Sequence, residues 1–243
     1  MFNAHVVRTE SCAESVASQG INRDSIIVSG WPKPVCRTAS SCRRSVDRIE
    51  KWADKSKIVA VPIPGHSPST EFIAALFHCL SADYRYKILL KLHPQSTVKA
   101  KALHAGLEKI RRGSLRISFM ILDHGELCLA CLFRLADAVI AGRSTTGLDA
   151  ATMNIPVVSL ESLDDSTFEN QISLFKVTRT TSDIAVARPS SCEALQKVVS
   201  ELLFEAKSSA MQARVHSSGH ISEHVFSPER TVRAILSNLE SAM

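Results

Sequence analysis

Asp137-Ala-Val-Ile-Ala-Gly-Arg-Ser-Thr-Thr-Gly-Leu-Asp-Ala-Ala-Thr-Met-Asn-Ile-Pro-Val-Val-Ser-Leu160 holds a strand, a hydroxyl-rich turn, a short helix and a second strand in one compact unit. The apolar run Ala138 to Ala141 reads as a strand buried on both faces, the pattern of a parallel sheet covered by helices. Arg143-Ser144-Thr145-Thr146-Gly147 supplies a turn, and Leu148 to Met153 a helix whose first N–H groups point back toward it. Asn154 suits a left-handed helix end, and Pro156 stops the helix before Val157 to Leu160 start the next strand. A helix N-terminus carries unpaired donors and partial positive charge, so three consecutive hydroxyls and an arginine at that point favour an anion such as a phosphate. Simple capping by Ser144 or Thr145 is the competing reading, but one hydroxyl suffices for a cap.

Outward from this unit, strand and helix signals alternate from about residue 57. Lys57 to Pro62 reads as a strand, Ser67 as the cap of a helix with Pro68 at its first position, and Phe72, Ile73, Leu76, Phe77 and Leu80 as that helix's core face. Lys87 to Leu92 is a second strand, Val98 to Arg112 an amphipathic helix and Arg116 to Leu122 a third strand. Glu126 to Ala136 is a helix apolar nearly all round, and Cys192 to Ala206 and Pro228 to Ala242 are closing helices. The alternation predicts an α/β fold, a Rossmann-like parallel sheet of five or six strands with helices on both faces. Residues 1–56 read as a lead-in containing one strand-like run, Ile26 to Gly30, and residues 57–243 as the ligand-binding domain.

Composition bounds the function. A chain of 243 residues, 45% hydrophobic and with few aromatics, fits a core of Leu, Ile, Val and Ala. No apolar run approaches the length of a membrane span and no secretory leader opens the sequence, so the cytoplasm is the expected location. A net charge of +5 is too mild for nucleic-acid binding, yet compatible with anionic ligands or with a peripheral position at the inner membrane. Seven scattered cysteines, an odd number, read as reduced thiols rather than a disulfide framework. Cys128-Leu-Ala-Cys131 has redox spacing but reads as core filling inside an apolar helix, and His216, His220 and His224 lie among helix-weakening residues. No metal site is expected. Neither a dinucleotide fingerprint nor a P-loop is present, which disfavours NAD-dependent oxidation and ATP hydrolysis.

A second chemically loaded segment is Lys87-Ile-Leu-Leu-Lys-Leu-His-Pro94, where a strand delivers Lys91 and His93 to its carboxyl end and Pro94 stops it. In open α/β sheets ligands bind outside that end. His93 can donate to a phosphate or ribose oxygen, and Lys91 or Arg143 can balance charge. Gly65 and His66, in the loop after the first strand, are further candidate contacts. Asp123-His124-Gly-Glu126 offers acid and imidazole in one loop, the candidate general base, although an ordinary solvated turn accounts for it as well.

Lys91-Leu-His-Pro94 followed by Ala136 to Ala150 and Ile155-Pro-Val-Val158 resembles the carboxyl-terminal, donor-binding domain of GT-B glycosyltransferases. Within that fold it is most similar to the His-Pro-motif group of sialyltransferases and polysialyltransferases, capsule Kdo transferases and CDP-glycerol glycerophosphotransferases. The resemblance covers residues 25–205 and includes Ile26-Ile-Val-Ser-Gly-Trp-Pro-Lys33, similar to an interdomain stretch of surface-carbohydrate enzymes. It implies a transferase of surface polysaccharide biosynthesis with a nucleotide-activated, cytidine-based donor as substrate and no separate cofactor. His93 would contact the nucleotide, while Ser144, Thr145 and Thr146, with Gly147 beside them, would hold its phosphate. Asp149 stands where many such proteins carry glutamate. The acceptor-binding lobe of the fold is missing before residue 57, so the resemblance also implies a partner chain or self-association. A non-catalytic donor-domain protein and a UDP-sugar 2-epimerase-like enzyme are the alternative readings.

Overall fold

In the computed structural model the described residues are 5–7, 10–29, 34, 36, 39–63, 70–80, 85–114, 118–142, 145–160, 187–205, 232–233 and 236. A small parallel pair opens the chain: β1 (His5–Val7) and β2 (Ile26–Val28) lie side by side, joined through helix α1 (Glu10–Ala17). Helix α2 (Ala39–Ala53) follows, and Cys42, Ile49 and Ala53 form its buried stripe at helical spacing. It ends where Asp54 and Lys55 take left-handed backbone angles, with φ of 47° and 64°.

The main sheet is parallel throughout. Its strands are β3 (Lys57–Pro62), β4 (Tyr86–Lys91), β5 (Ser118–Leu122), β6 (Ala138–Ala141) and β7 (Val157–Ser159), in the spatial order β5-β4-β3-β6-β7. The chain starts in the middle at β3, steps outward to β5, returns beside β3 as β6 and steps out the other way. The direction of winding therefore reverses between β3 and β6. Asp137 fixes this junction: its carboxylate accepts the Ile58 N–H at 2.9 Å and pairs with Lys57 Nζ at 2.6 Å, while its own N–H donates to Ile58 O at 2.8 Å.

Strand residues alternate between two cores, as parallel strands covered on both faces require. One face gathers Val59, Val61, Ile88, Leu90, Ala138 and Ile140 under α3 (Thr70–Leu80), α4 (Ala100–Ser114) and the late helix Cys192–Phe204. The other gathers Ile58, Ala60, Leu89, Val139 and Ala141 under α2, α5 (Leu129–Leu135) and α6 (Thr145–Thr152). The late helix is numbered α7. Phe72, Ile73, Leu76, Phe77 and Leu80 of α3 are all buried, as their spacing predicts.

Three local expectations are corrected. The cysteines are not all reduced: Cys79 of α3 and Cys192 at the start of α7 form a disulfide, while Cys12, Cys36, Cys42, Cys128 and Cys131 are in no disulfide. Helix α5 starts at Leu129 rather than Glu126, because residues 123–126 form a turn in which Glu126 N–H donates to Asp123 O. Cys128 thus becomes the N-cap of α5 and is not inside a helix. Helix α6 begins at Thr145 rather than Leu148, drawing Thr145 and Thr146 into its first turn. Asn154 ends α6 with φ of 60°, as read from the sequence. The closing helix placed at Pro228 to Ala242, the three histidines 216, 220 and 224, and the Trp31 segment lie wholly or mostly outside the described residues.

Candidate functional site

Because β4, β3 and β6 are adjacent and parallel, their carboxyl ends form one edge of the sheet, and the winding reverses there, the place at which open α/β sheets take their ligands. Neighbouring strands lie about 4.8 Å apart, so the ends of β4 and β6 stand about 10 Å from each other, a span suited to a phosphorylated small molecule. Three of the sequence candidates follow these strand ends directly. In the sequence Gly65 and His66 come after β3, His93-Pro94 follow β4, and Arg143 to Gly147 follow β6, with Thr145, Thr146 and Gly147 opening α6. Gly65, His66, Arg143 and Ser144 lie outside the described residues.

His93 is half-buried in a tight turn, in which Ser96 N–H donates to His93 O at 2.9 Å and Gln95 N–H donates to Nδ1 at 3.2 Å. With Nδ1 accepting, the neutral ring carries its proton on Nε2, and the imidazole is oriented as a donor. On the β6 side, Gly147 is buried, Thr146 and Asp149 are half-buried, and Thr152 Oγ1 donates to Asp149 O at 2.8 Å. The N-terminal end of α6 faces the same sheet edge as His93, since it follows a strand parallel to β4.

Lys91 goes elsewhere. Its side chain is buried on the α2/α5 face, where Nζ donates to His124 O at 2.9 Å. Burial pushes its pKa down from the ordinary amine value, and Cys128, Glu126 and Asp123 nearby pull it partly back.

The acidic loop after β5 is engaged in structural contacts. Asp123 Oδ1 accepts the Ala100 N–H at the start of α4 at 3.0 Å, and Asp123 N–H donates to Glu126 Oε2 at 2.7 Å. Glu126 Oε1 also pairs with Arg48 of α2 at 2.7 Å, while His124 is exposed. One convergence was not foreseen. Cys36, Cys42, Cys128 and Cys131 bring their sulfurs to within 4.8 Å of one another between α2 and α5. Cys-x2-Cys was visible in the sequence, but its partners are more than 80 residues earlier and only the topology supplies them.

No protein-family model and no curated protein matches the chain by sequence. Solved structures do match its fold. UDP-GlcNAc 2-epimerase from Neisseria meningitidis, bound to UDP-GlcNAc, aligns with a TM-score of 0.58 at 9% identity over 98% of this chain and 61% of its own. The wall teichoic acid polymerase TagF, soaked with CDPG, aligns at 0.53 and 13% identity over 99% of this chain and 57% of its own. A glycosyltransferase from Rickettsia africae ESF-5 aligns at 0.54 and 13% identity over 97% and 62%. The class defined by the fold is therefore a Rossmann-like α/β sheet matching one half of a GT-B-type, glycosyltransferase-like architecture. More particularly, the chain spans about three fifths of the length of structures that include both transferases and a sugar-nucleotide epimerase.

Proposed function

We propose that this chain binds a nucleotide-activated sugar or polyol at the β3/β6 crevice, as the donor half of a GT-B-type transferase of surface polysaccharide synthesis. The observation carrying the reading is the reversal of winding at β3/β6, with His93 on one side and the α6 N-terminus on the other. In this reading the N–H groups of the first turn of α6, with the hydroxyls of Ser144, Thr145 and Thr146 and the guanidinium of Arg143, hold the donor's phosphates. They stabilise the charge that develops as the nucleotide leaves. His93 donates from Nε2 to a phosphate or ribose oxygen, its ring orientation set by Gln95 N–H. Because Asp123 and Glu126 are engaged with Ala100 and Arg48, the base that deprotonates an acceptor hydroxyl is assigned to an acceptor lobe, whether in a partner, a second copy or a further stretch of the same polypeptide.

The epimerase reading keeps the same donor site and differs in chemistry. Its support is the match to a UDP-GlcNAc 2-epimerase. Incubation with CDP-glycerol, CMP-sugar and UDP-GlcNAc, read by product mass and NMR, separates the two. Group transfer to an added glycan with nucleotide release, by the chain alone or once an acceptor lobe is supplied, supports the transferase, and a C2 epimer with its nucleotide still attached supports the epimerase. Binding without either product even with an acceptor lobe present supports a non-catalytic donor-domain protein. Failure of every activated donor to bind overturns the site.

A further inference from the structure

We propose that Cys36, Cys42, Cys128 and Cys131 form a tetrahedral zinc site that fastens α2 and the segment before it to the N-terminus of α5. The four sulfurs lie within 4.8 Å of one another, and the Cys36 and Cys42 sulfurs are 3.8 Å apart. A Zn–S bond of about 2.3 Å places the sulfurs of a regular tetrahedron about 3.8 Å apart, so one contact already has the required length and the others need to close by about 1 Å at most. Four thiols this close around one point suit a single ion. An iron–sulfur cluster interposes sulfides between its metals and needs its cysteines further apart.

The backbone supports the same assignment. Cys128 is the N-cap of α5 and its sulfur accepts the Cys131 N–H at 3.4 Å, the arrangement by which a Cys-x2-Cys turn directs both sulfurs to one side. Cys128 N–H in turn donates to the Cys42 sulfur at 3.4 Å, and such N–H···S bonds offset thiolate charge in the shell around a metal. Both pairs are short sequence hairpins, Cys36-x5-Cys42 and Cys128-x2-Cys131, so each side of the site is formed locally. Cys42 and Cys131 are buried and Cys36 and Cys128 half-buried, which gives a dry site with an entry path.

The thiols are poised unequally. Burial raises the Cys42 thiol, but hydrogen bonds from Cys128 and neighbouring thiols outweigh it and bring its pKa down to about 7. Burial and the adjoining Cys128 push the Cys131 thiol up. Zinc ligation takes all four sulfurs as thiolates and releases their protons, so its affinity should fall at low pH. Lys91, buried on the same face and in electrostatic contact with Cys128 and Cys42, places a positive charge beside the resulting tetrathiolate.

The consequence is mechanical. The disulfide Cys79–Cys192 ties α3 to α7 on one face of the sheet, and the zinc site ties α2 to α5 on the other. It also steadies the turn 123–128, which holds Lys91 two residues before His93.

The test uses the full chain purified in the presence of a thiol-protecting phosphine, with metals measured by elemental mass spectrometry and by Co2+ substitution. The expected result is one zinc per chain and, for cobalt, intense thiolate charge-transfer bands with the visible bands of a tetrahedral ion. Cys42→Ser and Cys131→Ser should each lose stoichiometric zinc, while Cys12→Ser, outside the cluster, keeps it. If the serine variants fail to fold, the cobalt spectrum of the unaltered chain still decides, since it counts thiolates without mutation. Absence of zinc uptake by the reduced chain, a cobalt spectrum without thiolate bands, bound iron with sulfide, or a Cys36–Cys42 disulfide that persists in the reductant would each overturn the site.

Discussion

Replacing Asp137 tests how the switch point is held together. Between β3 and β6 only Val59 with Ala138 and Ala60 with Val139 are in register, against six pairs between β3 and β4, so this is the thinner seam beside the central strand. Asp137 reinforces it through the Ile58 N–H and Lys57. Ile58 is 5% exposed, so Asp137→Ala leaves its amide without the carboxylate and costs about 1.5–3 kcal/mol for a charge-assisted bond. The Lys57 pair is 46% and 32% exposed, so solvent screening limits its share to about 0.2–1 kcal/mol. Asp137→Asn keeps an acceptor for Ile58 and loses the charge, so it should recover more than half of the loss. Urea unfolding followed by far-UV circular dichroism measures both variants, with unchanged m-values expected. An Asp137→Ala variant within about 0.5 kcal/mol of the parent, smaller than the bond at issue, would refute the reasoning. Equal losses for Ala and Asn would show that charge, not the amide bond, holds the seam.

Two further outcomes follow from the backbone and the disulfide. Asn154, at φ of 60°, should accept glycine with little change, whereas Asn154→Ala should lower stability by about 1–2 kcal/mol in the same unfolding assay; equal stability of the two variants would contradict the left-handed cap. The Cys79–Cys192 bond closes a loop with a sequence separation of 113, so chain entropy gives about 4.8 kcal/mol for its loss. Cys79→Ser/Cys192→Ser should therefore shift the urea midpoint down sharply, and an unshifted midpoint would show that the bond does not form in solution.

The parts of the fold that could be read in the sequence are those whose signal is local. Ala138 to Ala141 and Lys87 to Leu92 are apolar runs with a turn at the end, and both lie in the sheet within one residue of where their composition puts them. Asn154 before Pro156 announced its own left-handed cap. Helix starts were less legible: α5 begins late because Glu126 turns back to the Asp123 N–H, a side-chain bond that competes with the helix and leaves no periodic trace. β1 has three residues amid polar sequence, too few for alternation to register, whereas β2 falls on the strand-like run Ile26 to Gly30. In the site, the placement of His93 after β4 followed from strand order, whereas the diversion of Lys91 did not. Pleat parity sends Lys91 to the α2 face beside Leu89, and the pull of His124 O is visible only once β5 is laid next to β4. The thiol cluster was illegible for the same reason, since Cys42 and Cys128 meet across 86 positions of chain.

The direct measurement is a calorimetric titration of the folded chain with CMP, CDP, UDP and NAD, repeated on Ser144→Ala/Thr145→Ala and on His93→Ala. A cytidine or uridine nucleotide should bind more tightly than NAD. The double variant should weaken it at least tenfold, because each lost charge-assisted hydrogen bond costs about 1.5–3 kcal/mol, and His93→Ala should weaken it through the lost Nε2 donor. Equal affinity in all three folded proteins, or no pyrimidine-nucleotide binding at all, would contradict a donor site at the β3/β6 crevice.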